Sequence, residues 1–566
     1  MLQIVSGVSL AAQFFVGREI LAAFSSDRTE RPTMGGLLPS FVALGVLMVI
    51  TGLVAVATRG KEILIGELVT RHVTARVVDV TTSAPYQAFE DPGFHDQLQR
   101  ARANGATYTW SMVSAMVSLV AAFIGIAATG TVLFAIAPLL ILVVVVAYIP
   151  LALATLRNGR SQYEFAYAMT PNDRERTYLG DALMGKREAK ELRVFGLAQF
   201  LRNRYESLYD ERIDALRVLV RTITRRSLVA NIGSALVTVG AVVVLASMAV
   251  DDRINVADAG LAALALQQMT GRIRAINGSV GTLHQCSLFF SDYVRFVSGA
   301  NPEARGIAND RPLTAGRFER LELSGVSFTY PGTSVPVLRD LDVSIDAGEV
   351  VALVGENGSG KTTLAKLICG LYEPTAGRVE WDGSVCVAQA PVAAIFQDFV
   401  QYELSGRDNI AVGDHRRFTE EPSVVAAAEL ADADRFLAAL PEGYATRLSR
   451  SYAGGVDLSV GQWQRVALAR AFFADRPFLV LDEPTAALDA RAEAELFASM
   501  RDLYKGRTVL LISHRFSSVM TADRILVLKQ GRLIEQGTHA ELMALDGHYA
   551  ELFNLQASAY LEDSAS

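Results

Sequence analysis

The residues Gly355-Glu-Asn-Gly-Ser-Gly-Lys-Thr-Thr363 follow the apolar run Val350–Val354 and precede Leu364–Cys369. An apolar strand, a glycine loop and a helix in that order are the context in which the spacing G-x-x-x-x-G-K-[ST] becomes a phosphate site. Gly355, Gly358 and Gly360, with Asn357 and Ser359 between them, let the backbone turn its N–H groups inward, and the helix beginning near Lys361 adds its positive end. Lys361 is then expected to reach the β and γ phosphates of a nucleoside triphosphate, and the hydroxyl of Thr362, next to Thr363, to hold Mg²⁺. A second apolar run, Phe478-Leu-Val-Leu, ends in Asp482-Glu483. In such a fold Asp482 would order the Mg²⁺ shell and Glu483 would polarise an attacking water, so that catalysis rests on positioning and electrostatics around the γ-phosphate.

The elements that must position these groups fall in two parts. At 566 residues, 51% of them hydrophobic, the chain exceeds a single core. Four segments are long and apolar enough to cross a bilayer, about 39–58, 111–129, 131–155 and 227–250; two weaker ones, about 4–24 and 256–276, are interrupted by Gln13, Arg18, Gln267, Gln268 and Arg272. The expectation is six spans in residues 1–298. Of the short connections proposed for the outer side, near 25–38, 128–131 and 251–256, the only basic residues are Arg28, Arg31 and Arg253. Both termini are therefore expected in the cytosol.

The inner connections, 60–102 and 157–226, are long and polar, as expected of helices that extend far from the membrane. Residues 299–317, with Asn301-Pro302, Gly306, Pro312 and Gly316, read as a linker. From Leu321 to Tyr330 the sequence alternates as a strand, and strands mix with helices to about Gln556. The expected fold class is thus a multi-pass α-helical membrane domain followed by an α/β P-loop ATPase domain at 318–556, with a loosely attached tail at 557–566.

Charge and cysteine content exclude some classes. Residues 1–300 hold 28 Lys+Arg against 23 Asp+Glu, and residues 301–566 hold 25 against 37. An acidic ATPase half argues against a nucleic-acid motor, which needs a basic footprint. Cys286, Cys369 and Cys386 form no C-x-x-C pair and read as reduced packing residues.

Taken together, the chain resembles the exporter branch of the ATP-binding cassette transporters. The resemblance rests on Tyr330, Gly355 to Thr363, Gln397 in Ile-Phe-Gln-Asp, Leu458-Ser-Val-Gly-Gln462, Leu481-Asp-Glu-Pro484, Ala487-Leu-Asp489 and His514 in Ile-Ser-His-Arg, in family order. It implies that Tyr330 stacks on the adenine of ATP, and that Gln397 senses Mg²⁺ and water while linking to the membrane helices. It also implies that His514 contacts the γ-phosphate or holds the water geometry. Ser459, Val460, Gly461 and Gln462 are implied to form the signature that acts on a partner subunit's nucleotide, with Asp489 crossing the same interface. The segments near 85–95 and 181–196 match coupling helices.

One chain is thus not expected to complete a site; a second copy or a paralogous half-transporter would. Val460 stands where the family usually has glycine. Its β-branched side chain restricts the backbone there. It is either tolerated, because the Ser459 hydroxyl and Gly461 N–H remain, or a source of slower hydrolysis. The first span begins at once, without the usual preceding elbow helix, which points to a start codon upstream.

The substrate is the least legible part. Pro85–Pro92, Ala189–Gly196 and Gly461–Gln464 resemble a bacterial subgroup that includes exporters of small modified peptides such as lantibiotics. The expectation is ATP-driven export of such a peptide or a hydrophobic natural product across the cytoplasmic membrane of a bacterium. Alternatives are a lipid or multidrug exporter and a degenerate, regulatory half of a heterodimer. The polar residues within the spans fit either a substrate cavity or helix–helix hydrogen bonding.

Overall fold

The structure is a computed structural model that describes residues 2–25, 34–251, 253–299, 318–385, 390–484 and 507–565. The chain divides into two compact units, Met1–Ala84 with Pro92–Pro302, and Pro85–Asp91 with Glu303–Ser566. The expected linker lies almost wholly outside the described residues, as do Cys386 and Asp489.

The first unit is helical: α1 (Leu2–Ser25), α2 (Met34–Ser83), α3 (Pro92–Ile136), α4 (Pro138–Ala147), α5 (Ile149–Ala168), α6 (Thr170–Met184), α7 (Ala189–Val194), α8 (Ala198–Val250) and α9 (Val256–Gly299). Among the described residues four helical stretches are long and apolar enough to cross a membrane, Gly35–Ser83, Pro92–Ile136, Pro138–Ala168 and Ala198–Val250. They overlap the four segments singled out from hydropathy, of which 131–155 runs across the break at Ala137. The two weaker segments lie in α1 and α9.

The turn expected at 128–131 is not there. α3 continues through it to Ile136, and the break falls at Ala137, whose φ of −151° and ψ of 77° leave the helix just before Pro138. Gly130 tolerates the helix, and the Thr129 hydroxyl donates back to the Gly125 carbonyl at 2.9 Å. Pro138, which lacks an N–H and fits the first turn of a new helix, decides the boundary.

Several polar groups inside this unit lie against neighbouring helices, whereas Gln267 and Gln268 are exposed. Gln13 Nε2 on α1 donates to the Thr51 hydroxyl on α2 at 3.0 Å, and Arg18 pairs with Asp258 at 3.4 Å. Arg272 on α9 lies so close to α3 that a Cβ added to Gly125 would meet its Nε at 2.7 Å. On the longer extensions, the buried carboxylate of Asp292 receives the Tyr163 hydroxyl at 3.3 Å and faces Arg295 at 3.5 Å.

Among the described residues the second unit contains two sheets. One is antiparallel in the order β2-β1-β4-β5: β1 (Arg320–Phe328), β2 (Leu338–Asp346), β4 (Ala376–Trp381) and β5 (Ser384–Val385). The other runs β10-β9-β3-β8-β7-β6: β3 (Val350–Gly355), β6 (Val392–Ile395), β7 (Phe478–Asp482), β8 (Thr508–Ile512), β9 (Arg524–Lys529) and β10 (Arg532–Gly537). Its central strands β3, β7 and β8 are parallel and buried at every residue. This is why their sequences are continuous apolar runs rather than alternations.

Between the sheets, with α10 (Lys361–Ile368), lies a core that includes Leu353, Leu364, Phe478 and Val480. A second core joins β6–β8 to α11 (Gly406–Ala411), α12 (Glu421–Leu430), α13 (Asp434–Ala438) and α14 (Val460–Ala474). The helix His548–Ala565 continues through the segment expected to be a loose tail.

The short turn Tyr86–Glu90 groups with this second unit. The Tyr86 ring meets Tyr372 edge-on at 5.4 Å between centroids, and the Tyr372 hydroxyl hydrogen-bonds Glu90. Lys366 Nζ lies 5.8 Å from the Tyr86 ring centre. Burial, then the Glu90 carboxylate, push the Tyr372 hydroxyl well above the usual tyrosine range.

Candidate nucleotide site

β3 ends at Gly355, and the loop after it turns sharply enough to require glycine. Gly360 sits at φ 106°, where an added Cβ would be 2.5 Å from Leu338 Cδ2. A Cβ at Gly355 would be 2.2 Å from the Leu528 carbonyl oxygen, so neighbouring strand β9 closes the space. At Gly355 the close approach is to backbone, and at Gly360 the left-handed φ itself favours glycine. α10 then begins at Lys361, its N-terminal end facing the loop.

The Lys361 ammonium is folded back into this loop, donating to the carbonyls of Gly355 at 2.8 Å and Glu356 at 3.0 Å. Burial lowers its pKa, and the nearby Glu483 and Asp482 carboxylates oppose that shift. Thr362 donates its hydroxyl to Asp482 Oδ2 at 2.9 Å, bringing the ends of α10 and β7 together. Burial raises the Asp482 pKa, while the Thr362 hydroxyl works against it.

The carboxylate of Glu483, one residue beyond β7, joins two side chains from other segments. Gln397 Nε2 donates to its Oε2 at 3.0 Å, and His514 Nε2 lies 3.1 Å from its Oε1. Burial and the Lys361 charge lower the His514 pKa, with Glu483 pulling the other way. Thr362, Gln397, Asp482, Glu483 and His514, scattered over 153 positions of sequence, thus form one connected cluster beside the glycine loop.

The site fits the groups the sequence implies. Ser359 Oγ is buried without a hydrogen-bond partner, in the middle of the loop. A cavity of about 400 Å³ opens alongside, lined by Gly355, Glu356, Asn357 and His514. Among the described residues no group of three or more His, Cys, Asp or Glu could hold a metal by itself. A magnesium ion carried in with phosphates needs fewer protein ligands than that, and Thr362 with Asp482 is such a minimal set.

Tyr330 is half-buried at the end of β1. Its hydroxyl shares a 3.0 Å hydrogen bond with Thr363, and its ring meets Phe328 and Tyr372 edge-on.

Ser459 caps α14, accepting from Gln462 N at 3.2 Å while Gln462 Oε1 accepts from Ser459 N at 2.9 Å. This reciprocal capping box fixes the helix start. Val460 is the first residue of that helix, negative in φ, with its side chain 62% exposed. A valine there meets no steric obstacle, because the position demands ordinary helical dihedrals.

Sequence reasoning missed one side chain that touches this cluster. Gln464 lies in the same helix and donates Nε2 to the Glu483 carbonyl at 3.1 Å. The available signal was a polar residue among the apolar positions of Val460–Ala474, two places after the signature.

The chain is similar to known proteins in sequence and in fold. The family model for ABC transporters matches residues 338–486. An ATP-dependent lipid A-core flippase of Alkalilimnicola ehrlichii is 40% identical over 294 residues, covering 50% of this chain and 48% of that protein. Such a flippase of Chromobacterium violaceum is 43% identical over 258 residues, covering 44% and 43%. The chain therefore matches less than half the length of these two flippases. The subtilin transport ATP-binding protein SpaT of Bacillus subtilis is 25% identical over 549 residues, covering 95% of this chain and 88% of that protein. The structure of a bacterial Atm1-family ABC exporter with ATP bound superimposes with a TM-score of 0.86 at 24% identity, over 98% of this chain and 97% of the other. The chain carries the ATPase domain of an ABC transporter, joined to a helical domain in the fold of an ABC exporter.

Proposed function

We propose that two such chains, identical or paralogous, export a substrate across a bacterial cytoplasmic membrane, driven by ATP binding and hydrolysis. The observation that carries this is the cluster in which Thr362, Asp482, Glu483, Gln397 and His514 converge beside the glycine loop. Lys361 and the loop N–H groups hold the phosphates, and Thr362, Gln397 and Asp482 hold Mg²⁺. Glu483 orients the attacking water, His514 keeps that geometry, and Tyr330 faces the base. Mg²⁺ supplies charge neutralisation on the phosphates. Ser459, Val460, Gly461 and Gln462, at the start of α14, close over the partner chain's nucleotide, together with Asp489. The membrane domain is 1–298 and the cassette 318–556, with both termini cytosolic.

For the substrate, alignment with the subtilin transporter over nearly the whole chain supports a small modified peptide. Higher identity to lipid A-core flippases over about half the chain supports a lipid. The deciding experiment uses the full chain in lipid nanodiscs and measures ATP turnover with lantibiotic-like peptides, lipopolysaccharide-type lipids and hydrophobic drugs. Selective stimulation by peptide supports the first reading; stimulation by lipid with no peptide effect replaces it.

Two further outcomes follow from the site. Val460→Gly is expected to leave turnover within about twofold and to lower stability by less than about 0.5 kcal/mol, because valine is itself a weak helix former and the position is the first of the helix. ATPase rate and thermal unfolding check this together. Because burial and Lys361 lower the His514 pKa, its ring stays neutral through neutral pH. Turnover is expected to be level down to the ordinary histidine value of 6.5 and to fall only in more acidic buffer. A pH–rate profile with a limb at or above that value would contradict it.

A further inference from the structure

Glu483 lies at φ 52°, in the left-handed region, and is followed by Pro484. Both features set the local chain against its conformation. A side chain crowds the backbone at positive φ, and the ring of a following proline drives the residue before it towards extended structure. Such a conformation persists where its surroundings over-determine it.

Two hydrogen bonds do so here. The Glu483 N–H donates to the Ile512 carbonyl at 2.9 Å, which continues the pairing of β7 with β8. The Glu483 carbonyl accepts from Gln464 Nε2 at 3.1 Å. Gln464 is 4% exposed, five residues beyond the helix cap Ser459, in a helix packed into the second core of the cassette.

We infer that Gln464 is a positioning residue for Glu483: it clamps the strained peptide from the carbonyl side and so keeps the carboxylate between Gln397 and His514. No bond or proton changes at Gln464 itself. Without its N–H donor the Glu483–Pro484 peptide relaxes towards extended backbone, and the carboxylate leaves both partners. Because Ser459 caps the same helix, a shift of α14 on engaging the other chain's nucleotide reaches the Glu483 backbone through this amide. The inference rests on the reading of Glu483 as the residue that orients water.

The test is Gln464→Met in the full chain in nanodiscs, which keeps the side-chain length and removes the donor. The kcat for ATP is expected to fall about tenfold, with the KM for ATP and the affinity for a fluorescent ATP analogue within about twofold. In a Glu483→Gln background the same substitution is expected to leave the residual rate unchanged, because the carboxylate it serves is gone. A residue that only fills the core would lower the rate in both backgrounds and lower the Tm in parallel. Unchanged kcat, or an equal proportional loss with Glu483→Gln already present, overturns the inference. Gln464→Leu, which has a similar bulk and no donor in any protonation state, is the second variant, expected to reproduce the loss; failure of both to yield folded protein would assign Gln464 to the core and overturn it equally. If Glu483→Gln alone hydrolyses ATP at the wild-type rate, the reading of Glu483 fails, an outcome distinct from a normal rate in Gln464→Met with an inactive Glu483→Gln.

Discussion

Glu483→Gln is expected to reduce ATP hydrolysis by about 10³-fold while nucleotide binding persists, the loss typical of removing a positioned general base. The geometry makes this a clean substitution. An amide of the same shape can still accept from Gln397, whose Nε2 now lies 3.0 Å from Oε2, and can still meet His514. Asp482 and Thr362 keep their own contact at 2.9 Å, so the phosphate and magnesium groups stay in place. Only the negative charge that would draw a proton from water is lost. Trapped nucleotide after rapid gel filtration, with phosphate release near background, is the readout; turnover within a few-fold of wild type would remove Glu483 from its role.

The second large effect is Lys361→Ala. Lys361 is buried, and in the structure its ammonium is satisfied by the Gly355 and Glu356 carbonyls. Those carbonyls offset part of the desolvation of the charge and hold it at the mouth of the loop, ready to exchange neutral acceptors for phosphate oxygens. A charge-assisted hydrogen bond to phosphate is worth about 2–3 kcal/mol, so ATP affinity is expected to fall about 30- to 150-fold. Equilibrium binding of a fluorescent ATP analogue checks it. The fold is expected to survive, because the loop carbonyls lie at a solvent-open cavity and water can replace the ammonium.

Much of the cassette was legible because its chemistry depends on short spacings. The run Val350–Thr363 states its strand, loop and helix locally, and Phe478–Glu483 states a buried strand ending in acids. The convergence of Gln397, Glu483 and His514 was not readable from spacing, since parallel strands β6, β7 and β8 bring it about through long crossovers. The family resemblance supplied that. Hydropathy found the four strongest membrane segments but misplaced the turn between two of them. Apolar composition is uniform from 111 to 155, and only Pro138 carries the boundary.

Val460 shows the opposite case. Judged as a replacement for glycine it promises strain, yet its position as the first residue of a capped helix requires dihedrals open to any residue. Gln464 and Tyr372 escaped notice because a buried amide and a buried phenol announce nothing in sequence until their partners, Glu483 and Glu90, are placed beside them.

The proposal that hydrolysis needs the signature segment of a second chain is the centre of the functional reading. The most direct measurement is ATP turnover in nanodiscs separated by mass into particles holding one chain and particles holding two. The account predicts turnover in the two-chain particles and none above background in the single-chain particles, with ATP bound in both. Equal turnover per chain in the two fractions would contradict it and would make each cassette a complete site.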